Sequence, residues 1–595
     1  MKKCRWAAVA IGWLCFVQTF SQRDPVSDKQ GADVMYDYSY INTVVKGGEG
    51  FGLVTEIYLP KGEGPWPVII TRTPYVNKKE RSDDNESARR YARKGIGFIR
   101  QRCRGTGGSE GTYIPNIYER EDGLALVNWV ANRKWCGSIG LVGVSYSALT
   151  CWIVADSLPD KVKGIYLEHY GIDRHLSAYK DGLFRQDILT SWAIDNASEI
   201  KNKPFRDKDE PYYDQYRFMP QIEMDIKMLG TELKWYRDWI TRPDYVDPYW
   251  SSGVWGQLKN NPAKIRVPVT IVAGLFDHHL EGTVLGYELL PDSTKRKSRL
   301  IVGAWDHFYQ VTPDIHRPQH VGDVNIAKDR FDWFYRLLVE EDVPEGNVQM
   351  YFIGADKWIC QEQWPVKPDG ELSFYLTDKP DKEMEKAYSL SLGRKAGESK
   401  LSFVYDPDNP VFSVGGETLF ASSGRRGSKL QPEIGYREDV LFFLSEPLKK
   451  PLAIAGPIKA VIYMSSDVED TSITFKVSEV FLDGSAYNIR TGITALAYRN
   501  DRWGKRKTYK PNERIALEIE TLPITWEIKP GNRLRVDITS SDFPEYNIHS
   551  NYPGIWSCQT QTKQAFQTIF LGKEYPSRII IPYLDLKKRV GQRNN

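Results

Sequence analysis

Long apolar runs are almost missing from this 595-residue chain. The one candidate, Ala7 to Val17, follows Lys2, Lys3 and Arg5 and precedes Thr19-Phe20-Ser21. That arrangement reads as a secretory signal over residues 1–21, too short to anchor in a bilayer. With it removed no membrane span is left, so the mature protein is expected in the periplasm or secreted. Charge bias is missing too: 80 Lys and Arg stand against 77 Asp and Glu, a net charge of +3. Lys2, Lys3 and Arg5 account for that excess, and no basic run follows, which excludes nucleic acid and anionic surfaces as partners. Cysteine is sparse. Of seven, Cys4 and Cys15 leave with the signal, and Cys103, Cys136, Cys151, Cys360 and Cys558 remain. Their spacings match no zinc pattern, so no metal is expected. Export permits disulfides, which leaves one pair among Cys103, Cys136 and Cys151 open. The glycine-rich stretch Arg102 to Gly111 lacks the Gly-Lys-Ser/Thr ending of a phosphate cradle, and no nucleotide or other cofactor is expected.

What is present has two grammars. From about residue 32 to 347, apolar strands alternate with helical stretches. Trp66 to Thr71, Gly97 to Gln101, Ile139 to Val142, Val162 to Glu168, Val267 to Gly274 and Arg299 to Ala304 read as strands. Glu119 to Arg133 has helical periodicity, with Leu124, Val127, Trp129 and Val130 largely on one face, and an amphipathic helix is expected over Asn325 to Glu340. This is an α/β pattern with a mostly parallel sheet. The rhythm stops over 169–249, a segment rich in Trp and Tyr that reads as an inserted helical cap. The α/β domain is therefore expected in two parts, 32–168 and 250–347. From 348 to 588 strands repeat without a long helix, and pairs such as Ile473 and Phe475 alternate with Thr474 and Lys476. That is the patterning of an all-β sandwich.

In open α/β sheets, chemistry gathers at the carboxyl ends of the strands. Ser145 stands there in Gly143-Val-Ser-Tyr-Ser147, between a buried strand and a helix. Asp277 follows the 267–274 strand and His307 follows the 299–304 strand. Ser…Asp…His is the chain order of α/β-hydrolases. A serine hydroxyl needs an imidazole to take its proton, and the imidazole needs a carboxylate to fix its tautomer. His278, His279 and Asp306 are the nearest competitors.

The motifs Arg72-Thr-Pro-Tyr75, Arg104-Gly105, Ser109-Glu110-Gly111, Glu121-Asp122, Gly143-Val-Ser-Tyr146, Gly274-Leu-Phe-Asp277 and Gly303-Ala-Trp-Asp-His307 carry a wider resemblance. So do Gly456-Pro457, Ser465-Ser-Asp467 through Asp470, Pro530 to Leu534 and Ser540 to Pro544. Together they resemble the family of cocaine esterase, α-amino-acid ester hydrolases, cephalosporin (glutaryl) acylases and X-Pro dipeptidyl-peptidases. The resemblance implies an α/β-hydrolase followed by a C-terminal jelly roll, with Ser145, Asp277 and His307 as triad. It further implies an oxyanion hole made by the Tyr75 hydroxyl and the Tyr146 backbone N–H. Two departures stand out. Ala148 replaces the family's glycine three residues after the serine. His279 and Leu280 occupy positions where α-amino-acid ester hydrolases carry acids that grip the substrate ammonium. The expectation is an exported serine hydrolase of small-molecule acyl esters, with amides also open to it, needing no cofactor. An X-Pro dipeptidyl-peptidase or acylase-type amidase is the alternative, and a glycan-binding protein on a hydrolase scaffold is a further one. Trp192, Trp235 and Trp239 belong to the cap, as pocket wall or as core. A homo-oligomer is left open.

Overall fold

The computed structural model describes residues 35–76, 85–204, 212–312, 319–361, 364–394, 396–419 and 425–589; residues 1–21, read above as a secretory signal, lie outside them. Among the described residues twelve strands precede residue 362: β1 Tyr38–Lys46, β2 Gly52–Pro60, β3 Trp66–Thr73, β4 Gly97–Arg102, β5 Cys136–Val144, β6 Val162–Glu168, the short hairpin β7 Tyr179–Lys180 and β8 Leu183–Phe184, then β9 Val269–Phe276, β10 Arg299–Asp306, β11 Asn347–Phe352 and β12 Lys357–Gln361. All but the hairpin form one sheet in the order β1-β2-β4-β3-β5-β6-β9-β10-β11-β12. Its centre, from β4 to β11, is parallel, and the antiparallel pairs lie at the edges. Central strands such as β9 are buried at every position, which is why they read as unbroken apolar runs.

Helices α1 Glu86–Arg93, α2 Glu119–Ala131 and α3 Tyr146–Trp152 belong to the first half. The cap carries α4 Arg174–Ala178, α5 Gln186–Asn196, α6 Tyr213–Arg217, α7 Met224–Leu229 and α8 Lys234–Ile240; α9 Gly253–Asn260, α10 Leu280–Glu288, α11 Asp292–Lys295 and α12 Ile326–Leu338 follow. α12 begins where Asn325 accepts from the Lys328 N–H at 3.0 Å, an N-cap. It buries Ile326, Trp333, Phe334, Leu337 and Leu338 against the sheet. Two strand glycines make room for that face. A Cβ on Gly140 would meet Phe334 at 2.4 Å, and one on Gly164 would meet Leu337 at 2.4 Å.

Three expectations are corrected. The α/β sheet does not end at residue 347: β11 and β12 extend it to Gln361, because β11 pairs in parallel with β10 and turns back into β12. In α2 the buried positions include Glu119 and Asp122, while Leu124 and Trp129 are only partly buried. Arginines from β3 and the β4 loop reach these acids and turn the helix toward them. The cysteine pair left open does not form: all five described cysteines are free, with Cys103, Cys136 and Cys151 buried. Burial pushes the thiols of Cys136 and Cys151 up, to about 11 and about 12.

The C-terminal part is all-β, in its described residues an eleven-stranded sheet between Gly370 and Leu584 organised around the 15-residue strand Leu452–Ser466. The strand Ser472–Val480 is buried on both faces, so the alternation of Ile473 and Phe475 with Thr474 and Lys476 does not mark a solvated side. This unit packs onto the cap and the sheet. The Phe184 N–H donates to Asn547 Oδ1 at 2.7 Å, and Arg502 makes a bidentate pair with Glu281 at 2.8 and 2.9 Å. The Arg490 guanidinium donates to the carbonyls of Leu275 and Pro523 and pairs with Glu417 at 3.0 Å.

Candidate active site

Four residues follow four adjacent parallel strands. Ser145 comes after β5, His169 after β6, Asp277 after β9 and His307 after β10. The registers align these ends in two pairs, Val144 beside Glu168 and Phe276 beside Asp306, while β9 runs on past Val272, the partner of Glu168, before it reaches Asp277. Neighbouring strands sit about 4.8 Å apart, so residues one step past aligned ends converge.

Ser145 has φ 56 and ψ −127, a conformation that costs an L residue strain and that lifts its side chain out of the sheet as the helix begins. Gly143 makes the turn feasible: a Cβ there would lie 2.1 Å from the Ser147 carbonyl oxygen and 2.4 Å from the Ala148 nitrogen. Ala148, in place of the expected glycine, is accommodated, fully buried with its N–H donating to the Ser145 carbonyl at 2.8 Å. Tyr146 opens α3, so its N–H belongs to the first turn, which has no intrahelical acceptor.

The Tyr146 side chain locks the turn from behind. Its hydroxyl donates to Glu119 Oε1 at 2.8 Å and accepts from the Asn116 N–H at 2.6 Å. Glu119 in turn accepts from Arg72 at 2.7 Å, while Asp122 accepts from Arg104 at 2.8 Å. These acids and arginines are nearly inaccessible to solvent. The recurring Arg72, Arg104 and Asp122 motifs are thus parts of one buried ion-pair network behind the serine.

Asp277 carries the other half of the site. His307 Nδ1 donates to its Oδ2 at 3.1 Å, and His169 Nδ1 donates to the same oxygen at 2.6 Å. The His279 N–H donates to Oδ1 at 2.9 Å. His278 Nδ1 lies 3.1 Å from Oδ1 but out of hydrogen-bond alignment. Burial alone would raise the Asp277 carboxyl; the charge of His307 and the imidazole donors outweigh it and hold the group well below the usual range. An ionised carboxylate only accepts, so Nδ1 of both His169 and His307 donates to it and Nε2 of each is the ring nitrogen turned elsewhere. His169 is fully buried and its Nε2 has no partner, whereas His307 keeps slight exposure. His278 and His279 stay neutral near pH 7, because burial lowers the first to about 4 and the second well below its ordinary value. His169, Asp277 and His307 also lie within the 4.8 Å spacing that a metal ion could use, but both Nδ1 protons are committed to Asp277.

Ser145 opens into a cavity of about 30 Å³ lined by Tyr75, Asn116, Tyr146, Tyr170, Arg174, Ile188, Leu189, Trp192, His278, His279 and Leu419. The Trp192 indole N–H donates to the Tyr75 hydroxyl at 3.3 Å, and its ring stacks on Tyr146 at 6.2 Å and 7°. Trp235 and Trp239 pack behind Trp192, at 6.1 and 6.0 Å. Trp192 is therefore pocket wall and the other two are cap core. Ser145 Oγ makes no hydrogen bond among the described residues, so the Asp277–His307 link is formed while the serine–histidine link is open. In resting hydrolases that contact is often long and tightens with substrate.

Of the five residues read from the sequence, Tyr75, Ser145 and Tyr146 thus share one cavity wall, and Asp277 and His307 are joined by a hydrogen bond at neighbouring strand ends. His169 was missed: it stands directly past β6, the strand-end signal that located the others, but was assigned to the start of the cap. Asp306 turns away, accepting from the Phe308 and Gln310 N–H groups.

The pattern of the X-Pro dipeptidyl-peptidase (S15 family) matches residues 49–309, and that of the X-Pro dipeptidyl-peptidase C-terminal non-catalytic domain matches residues 342–580. The cocaine esterase of Rhodococcus sp. (strain MB1 Bresler) is 26% identical over 572 residues, covering 91% of this chain and 98% of its own. Among solved structures, an aminopeptidase from a marine sediment Thaumarchaeota archaeon superposes with a TM-score of 0.77 at 21% identity, covering 96% of this chain and 100% of its own. An α-amino acid ester hydrolase gives a TM-score of 0.75 at 21% identity, covering 95% and 100%.

Proposed function

Because the chain belongs to the X-Pro dipeptidyl-peptidase (S15) family of serine hydrolases, with both its catalytic and its C-terminal domain, we propose that it hydrolyses acyl esters through an acyl-enzyme formed on Ser145. One observation carries the assignment of roles: His307 is hydrogen-bonded to Asp277 at strand ends beside a strained Ser145 turn. His307 Nε2 takes the Oγ proton as Oγ bonds to the substrate carbonyl carbon. The tetrahedral oxyanion is held by the Tyr75 hydroxyl and the Tyr146 N–H, each lowering the barrier by about 3 kcal/mol. The bond to the leaving alcohol breaks as His307 returns the proton to it. Water then attacks the acyl carbon, losing its proton to His307, and the carboxylic acid leaves with Ser145 restored. Asp277 stabilises the imidazolium in both halves.

Ester is favoured over X-Pro peptide by the cavity wall. A dipeptidyl-peptidase must hold an N-terminal ammonium, and no Asp or Glu lines the cavity among the described residues. The reading of residues 1–21 as a signal supports an exported enzyme; the amino-terminal sequence of protein recovered from outside the cytoplasm tests that. Activity is tested with p-nitrophenyl acetate and butyrate beside Gly-Pro-p-nitroanilide, in the wild type and in Ser145→Ala. Serine-dependent ester turnover is expected. Anilide turnover at equal or greater efficiency would move the assignment to a dipeptidyl-peptidase.

A further inference from the structure

The cavity beside Ser145 holds one charge that the ester mechanism does not use. Arg174, the first residue of α4, is 7% exposed. Its guanidinium makes no ion pair among the described residues; its Nε is buried without a partner, and the polar side chain set against it is the neutral Tyr170 hydroxyl. Its immediate neighbours are aromatic: the guanidinium carbon lies 4.2 Å from the centre of the Trp239 ring and 5.8 Å from that of Trp255. A ring face attracts a cation but does not neutralise it.

The nearby carboxylates are committed elsewhere. Asp173 caps α4 through the His175 N–H at 2.9 Å and takes Lys259 at 2.9 Å and the Tyr245 hydroxyl at 3.0 Å. Asp238 pairs with Arg242 at 2.8 Å, and Asp277 is occupied by its imidazoles. Beside Arg174 on the cavity wall stands the buried Tyr170 hydroxyl, within reach of the guanidinium and with no carboxylate partner, its ring held 4.4 Å from that of His279. Buried guanidinium groups are otherwise paired, and removing one from water without a counter-ion is strongly unfavourable. A donor fork and a hydroxyl converging on a small cavity match a planar carboxylate.

We infer that Arg174 determines specificity: the substrate carries a carboxylate, bound inside the Ser145 cavity by the Arg174 guanidinium and the Tyr170 hydroxyl. The substrate class narrows from acyl esters to half-esters of dicarboxylic acids or to esters whose alcohol part bears an acid. The inference rests on the ester reading only for its hydrolytic arm, so it is tested in two ways. In the first, kcat/KM by pH-stat is compared for monoethyl succinate and adipate against ethyl valerate and heptanoate, and for 4-acetoxybenzoate against p-tolyl acetate. The expected result is a preference of roughly tenfold or more for the charged member in one series. That preference should collapse in Arg174→Met and persist in part in Arg174→Lys, with melting temperature reporting whether each variant folds. The second arm needs no turnover. Adipate and benzoate are titrated calorimetrically into Ser145→Ala and into Ser145→Ala/Arg174→Met. Binding that the second substitution removes supports the inference even if no ester is cleaved. Equal turnover of charged and neutral members, or carboxylate binding indifferent to Arg174, overturns it while leaving Ser145-dependent hydrolysis untouched.

Discussion

Two imidazoles donate to the same Asp277 oxygen, and only one can serve Ser145. The decisive perturbation is a pair of substitutions, His307→Ala and His169→Asn. In the structure His169 is the tighter partner, at 2.6 Å against 3.1 Å. A choice by distance alone would name it the base. Its Nε2, however, is sealed without a partner, under Tyr309 at 4.5 Å and 79°. The proposed mechanism therefore takes His307 as the base and His169 as a positioning residue. Removing the base leaves only binding and the oxyanion hole, a loss of roughly 10⁴-fold or more in kcat. His169→Asn replaces the imidazole donor by a carboxamide and loses at most one hydrogen bond to a charged acceptor, about 1.5–3 kcal/mol. Asp277 keeps His307 and the His279 N–H. If all of that energy served to orient the carboxylate, kcat would fall about 10- to 150-fold. The two losses thus differ by about 100-fold. The assay is kcat for p-nitrophenyl butyrate, with melting temperatures to separate unfolding from chemistry. The reasoning is refuted if His169→Asn is as inactive as His307→Ala while still folded, or if His307→Ala keeps more than about 1% of activity.

Other outcomes follow from the same geometry. Gly143→Ala drives a Cβ into backbone atoms 2.1–2.4 Å away, which cannot yield as a flexible side chain would; a shift of the turn by about 1 Å should cost roughly 100-fold in kcat/KM, and wild-type kinetics in a folded variant would contradict the turn as described. Tyr75→Phe should lower kcat by about 100-fold with little change in KM, whereas a loss confined to KM would assign Tyr75 to binding instead. Glu119→Ala strands Arg72 and the Tyr146 hydroxyl in a buried network and should destabilise the fold by about 3–5 kcal/mol, readable by chemical denaturation. Asp187, buried and accepting from Thr418, is raised by burial to about 6. Its folded value exceeds its unfolded value, so the native state holds the extra proton between about pH 4 and 6 and this group lowers stability as pH rises through that window. Asp187→Asn should therefore stabilise the protein by up to about 3 kcal/mol at pH 8 and by little at pH 4; an equal effect at both would refute that assignment.

Strand ends were readable in the sequence because apolar runs stop where the sheet stops. That is why Ser145, Asp277 and His307 could be placed before any coordinates. The cap concealed His169, since the strand–helix rhythm breaks at the very residue where β6 ends. Arg174 and Glu119 were illegible for a different reason. A buried cation looks like any surface arginine until the absence of its counter-ion can be inspected, and Glu119 looks like a solvated helix start until Arg72, 47 positions earlier, is seen against it. The sandwich pattern gave its strands but not their exposure, because burial of the second face of Ser472–Val480 depends on packing outside that strand.

Arg490 gives the C-terminal unit a meaning that its description as non-catalytic does not convey. Its guanidinium, 1% exposed, grips the carbonyl of Leu275, two residues before Asp277, and lies 4.8 Å from the ring centre of Phe276. The end of β9 is thus clamped from outside the sheet that contains it. A modular boundary in sequence is here a single mechanical unit: cutting the chain near residue 361 would not subtract an accessory but release the loop that carries the acid. Heating should accordingly melt both parts in one transition.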